Sequence, residues 1–64
     1  MGEDEIAVAR ERIRLAEANI EQQRALIAGL KSKGQSTLLA DELLHIFEDA
    51  LRFRQAYLDE LLKK

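Results

Sequence analysis

Lys31-Ser32-Lys33-Gly34-Gln35-Ser36 is the stretch that decides the fold. Gly34 stands between two long runs of helically spaced apolar residues, and a glycine just past a helix takes the left-handed conformation that closes it. Lys31 and Lys33 place positive charge near the end of the first run, where a helix dipole is negative. Ser36 or Thr37 can cap the following helix through a side-chain oxygen. These signals predict an αα-hairpin with helix 1 over about 3–33, a turn over about 34–36 and helix 2 over about 37–63, the whole of 1–64 forming one domain.

Working back from the turn, Ile6, Ile13, Ile20 and Ile27 recur every seven residues and fill heptad position a. Ala9, Ala16, Gln23 and Leu30 fill d. Glu3, Asp4 and Glu5 oppose the positive end of the dipole at the start. Small alanines between large isoleucines let a second helix approach closely. Arg10, Arg14, Glu17, Glu21, Arg24 and Lys31 are assigned to the opposite, solvated side, at spacings that permit local ion pairs.

Working forward, Thr37, Leu44, Leu51 and Leu58 fill a, and Ala40, Phe47, Arg54 and Leu61 fill d. Pairing the two stripes antiparallel gives residue numbers that sum to 70 or 71 throughout, from Leu30 with Ala40 to Ala9 with Leu61, so the centre falls inside the proposed turn. Periodicity and turn chemistry, two separate signals, therefore agree.

The second helix carries more than this pairing uses. Leu43, Ala50 and Tyr57 occupy g while Leu39, Ile46 and Phe53 occupy c, widening the apolar arc to roughly 160°. One partner helix cannot cover that arc. The expectation is a homodimer of hairpins packed as an antiparallel four-helix bundle, with Val8 and Leu15 of helix 1 joining those six residues in the interface between chains. Another protein is the alternative cover.

Composition bounds the function. Sixty-four residues make one small domain with 47% apolar and 34% charged residues, no cysteine and no proline, which is the profile of long helices with a buried stripe. With no disulfide or Cys/His zinc cluster to supplement the core, association is the simplest source of stability. The net charge is −2 and the pI about 5.3, against the basic surface that nucleic-acid binding calls for. No signal peptide, myristoylation site or membrane anchor is expected, and the expected setting is the cytoplasm.

Four candidate sites can be weighed residue by residue. Glu42 and His45 have the Glu-x-x-His spacing of di-iron bundles, with Asp41 and Asp49 each four residues from His45, but at f and b they face solvent. No metal or other cofactor is expected. Gln23 and Arg54 sit at d, where glutamine would fix register and arginine would carry its guanidinium along the core to a carboxylate such as Glu17 or one of the partner. Arg10, Arg12 and Arg14 point in three directions, which suits solvated ion pairing and not a continuous basic stripe; an RNA-binding regulator like the plasmid protein Rop is the alternative function, suggested by architecture alone. Acidic residues on the polar face of helix 2 oppose membrane-surface binding. One histidine, no cysteine and hydroxyl groups of Ser/Thr confined to the turn leave no catalytic constellation, and no enzymatic activity is expected.

The stretch Ile20-x-x-Gln23-x-x-x-Ile27-x-x-Leu30-x-x-x-Gly34-x-x-Thr37-x-x-Ala40-x-x-Leu43-Leu44-x-x-Phe47-Glu48-x-x-Leu51 resembles a group of short helical-hairpin proteins found largely in alphaproteobacteria. Its most specific portion is the Gly-x-x-Thr-x-x-Ala turn. The resemblance covers about residues 20–51, implies the hairpin, and supplies no catalytic residue to transfer.

Overall fold

The computed structural model describes residues 2–63. Two helices, α1 (Gly2–Ser32) and α2 (Leu38–Lys63), pack against each other as a hairpin 49 Å long and 14 by 11 Å across.

The turn is built as its residue types dictate. Gly34 has φ +70°, the left-handed conformation that a side chain with a Cβ rarely adopts. Its N–H donates to the Lys31 carbonyl at 3.0 Å, and the Gln35 N–H donates to the Leu30 carbonyl at 2.9 Å. This pair of bonds is a Schellman cap, and it satisfies carbonyls that the end of α1 would otherwise leave open. The Lys33 N–H is shared between the carbonyls of Gly29 (3.3 Å) and Leu30 (3.2 Å), so the last turn tightens and α1 ends one residue before the expected position.

On the far side, the Ser36 hydroxyl oxygen accepts from the Leu38 N–H at 3.3 Å. The Thr37 carbonyl accepts the first helical bond, 2.7 Å from the Asp41 N–H, which makes Thr37 the capping residue and starts α2 at Leu38. The Thr37 hydroxyl donates to the Asp41 carboxylate at 2.9 Å. Both residues expected as caps therefore take part, in different ways.

The stripe of α1 is the core. Ala9, Ala16, Ile20, Gln23 and Ile27 are buried, with Ile6, Ile13 and Leu30 half-buried around them. These are the a and d positions of the heptad, and Gly29 beside the turn is half-buried with them. The cap Thr37 and, from α2, Ala40, Leu44, Phe47, Leu51, Leu58 and Leu61 face them half-buried, and no residue of α2 is fully buried. The asymmetry has a plain cause: α2 covers the narrow stripe of α1, whereas α1 covers only part of the broad arc of α2.

Two core-facing polar residues behave differently. Gln23 is 7% exposed, and its amide nitrogen donates to the Ala40 carbonyl at 2.9 Å. That acceptor lies one heptad nearer the turn than Phe47, the residue expected opposite; a phenyl ring offers no comparable acceptor, so the carboxamide reaches for backbone. Arg54 is exposed, and among the described residues no carboxylate lies within 4.0 Å of it, so Glu17 is not its partner.

Candidate functional site

All eight residues expected at an interface between chains are exposed in the hairpin. Leu39 and Phe53 are 78% exposed and Ile46 61%, with Val8, Leu15, Leu43, Ala50 and Tyr57 alongside. They form one long face because they occupy two heptad positions, c and g, that follow each other around the helix. Leu26 belongs to the same face, half of its surface open to water. It was legible in the sequence as the one apolar residue in the g row of α1, whose other members are Glu5, Arg12 and Asn19.

The area is large for the size of the molecule. A folded chain of 7.3 kDa typically exposes about 4,200 Å², and this hairpin exposes 5086 Å². The excess of roughly 900 Å² compares with about 800 Å² that each partner contributes to a stable protein interface.

Polar groups mark the face at defined points. Arg12 and Arg54 line one cleft with Leu15, Ala16, Asn19, Ile46, Phe47 and Ala50, and a neighbouring cleft with Ala9, Phe53 and Tyr57. Both side chains therefore border the same stretch of the hairpin, amid apolar and aromatic side chains. Long cations in such surroundings lay their stems on apolar surface and keep their heads in water.

The opposite side is organised by charge. Arg24 Nη2 lies 3.4 Å from Glu48 Oε2, bridging the two helices, and His45 Nδ1 lies 3.6 Å from the other oxygen of the same carboxylate. Arg24 was assigned to a solvated side with only local partners. The reason it reaches across is geometric: Arg24 and Glu48 both occupy e, and in an antiparallel pair the e positions flank the same edge of the seam. His45 itself is 78% exposed, and Glu42 is exposed beside it. Among the described residues no group of three His, Cys, Asp or Glu side chains converges as a metal site would require.

The arginines of α1 are divided among separate tasks. Arg14 makes two hydrogen bonds to Glu11, one of them 3.0 Å from Nε to Oε1. That bonding holds the Glu11 carboxyl below its ordinary range and raises the Arg14 guanidinium above its own. Arg52 pairs in the same way with Asp49 on α2. Arg10 and Arg14 do not join Arg12 at the apolar clefts. No helix among the described residues is long and apolar enough to cross a membrane. Comparison with protein-family models, with curated proteins and with solved structures gives no match.

Proposed function

We propose that this chain is a small structural and protein-interaction module that works as a homo-oligomer, two hairpins packing their exposed faces together as a four-helix bundle. The observation that carries the reading is the face itself: a long, largely apolar surface, with an exposed area beyond that of a compact chain by about one interface's worth. A second copy is a fitting cover because it brings an equally broad face of the same length.

Sedimentation of wild type, Ile46→Glu and Phe53→Glu tests this. The expected wild-type mass is that of two chains, and each substitution should give a single chain with weakened helicity. A wild-type species of single-chain mass that is fully helical at micromolar concentration would refute it.

A second reading, an RNA-binding regulator, has one observation in its favour. Arg12 and Arg54 share a cleft with the exposed rings of Phe53 and Tyr57, a combination that suits single-stranded bases. The net charge of −2 weighs against it. Salt-sensitive retention of RNA, lost in Arg12→Ala with Arg54→Ala, would favour this reading, and absence of binding at low salt would remove it.

A further inference from the structure

The exposed face has an internal order that bears on how two copies meet. On α1 one row runs Glu5, Arg12, Asn19, Leu26, with Lys33 just beyond the helix, each seven residues from the next. A two-fold axis lying across the helices turns such a row back on itself. Centred on Asn19, it sets Glu5 opposite Lys33 of the partner subunit, acid against base, and Arg12 opposite Leu26 of the partner subunit. On α2 the same operation centred at Ala50 sets Leu43 opposite Tyr57 of the partner subunit, and Ile46 between Phe53 of the partner subunit and Arg54 of the partner subunit. On α2 the apolar residues nearest the axis therefore meet one another, while Leu39 falls opposite Glu60 of the partner subunit.

These two centres need not have coincided. Asn19 and Ala50 line the same cleft, and their numbers sum to 69 against the 70 or 71 of residues paired across the seam, so they stand within about 3 Å of one height at 1.5 Å per residue and a single axis serves both helices. We propose that the two hairpins lie head to tail, turns at opposite ends, with Asn19 of each copy meeting its counterpart on the axis. This rests on the dimer proposed above and specifies its partner surface.

The alternative, both turns at one end, conflicts with the charges. A two-fold axis along the hairpin keeps every residue at its own height, and Arg12 and Arg54 line the same two clefts about one helical turn apart. Four arginines would then crowd one short stretch of the closing interface. The same arrangement lays each Asn19 carboxamide on the apolar row of the partner's α2, where its donors and acceptor go unmet. Head to tail, each asparagine finds a donor and an acceptor in the other, and each Arg12 stem lies along a leucine.

The chain has no cysteine, so a single Gln35→Cys in the exposed turn accepts one spin label per copy. Head to tail, the two labels lie about 48 Å apart, the rise of 16 residues on each side of the axis at 1.5 Å each. With turns together they lie within about 20 Å, two helix spacings. A dipolar distance in the longer range supports the proposal and one in the shorter range overturns it. A second variant reads the axis directly: Asn19→Asp places two carboxylates against each other only in the head-to-tail dimer. Its dissociation constant should rise about tenfold between pH 4 and pH 8, as the carboxyls ionise and repel. A pH dependence no larger than that of wild type overturns the placement of Asn19 on the axis. Single-chain mass for the unlabelled wild type would overturn the dimer itself, whatever its orientation.

Discussion

The Gln23 carboxamide donates a 2.9 Å hydrogen bond to the Ala40 carbonyl, and so fastens the middle of α1 to the first turn of α2. It is the only polar side chain in the buried stripe of the described residues. Gln23→Ala removes both the bond and the packing of the side-chain methylenes, and should lower stability by about 1–2 kcal/mol in urea unfolding. Ala40 remains within its own helix ladder, so the apolar near-isostere Gln23→Leu should cost well under half of that.

The two glycines near the turn should respond oppositely to a single methyl group. A Cβ on either would meet nothing within 4 Å, so the difference is purely conformational. Gly34 holds φ +70°, and Gly34→Ala should lose about 1 kcal/mol. Gly29 lies in the interior of α1, and Gly29→Ala should gain about 0.5–1 kcal/mol. Paired thermal melts at one concentration give both signs.

How much of this was legible beforehand depends on what carries each feature. Gly34, Ser36 and Thr37 act within a few residues of themselves, so residue type alone gave the turn, and the a and d rows gave the buried stripe. Gln23 was recognised as a register residue, but its acceptor is a backbone carbonyl, which no pattern of side chains displays. Arg24 was placed in solvent because its own helix offers it neighbours; the partner, Glu48, emerges only when the e rows of both helices are laid side by side. Arg54 was assigned a carboxylate because a d position faces inward, yet a long side chain at an open edge reaches water more easily than an acid. Leu26 was overlooked because its row is otherwise polar.

The Arg24–Glu48 pair spans both helices with its arginine more than half exposed, so its contribution should be modest. A double-mutant cycle with Arg24→Ala and Glu48→Ala should give a coupling of about 0.5 kcal/mol, falling toward zero in 1 M salt.

The Glu11–Arg14 pair sets a pH dependence whose sign follows from its direction. The bond from Arg14 lowers the Glu11 carboxyl below its unfolded value, so the folded state binds that proton less readily. The resulting stabilisation is present above the unfolded carboxyl range and is lost as pH falls through the folded one. Glu11→Gln should therefore melt slightly below wild type at pH 7, and the two melts should converge in acid. The pair is fully exposed, so the gap at neutral pH should be small.

The core of one hairpin is two alanines, two isoleucines and a glutamine, all supplied by α1. Against it stands an α2 with no buried residue and an outer row in which Leu39, Ile46 and Phe53 are mostly open. If the second half of the core comes from another copy, unfolding separates two chains, and dilution favours the separated state by about 1.4 kcal/mol per tenfold. The unfolding entropy of two 64-residue chains then lowers the melting temperature by about 5 °C for each tenfold dilution. A hairpin stable by itself shows no such slope. Ile46→Glu and Phe53→Glu should flatten the slope together with the mass, because each introduces a charge that the closed interface would have to desolvate.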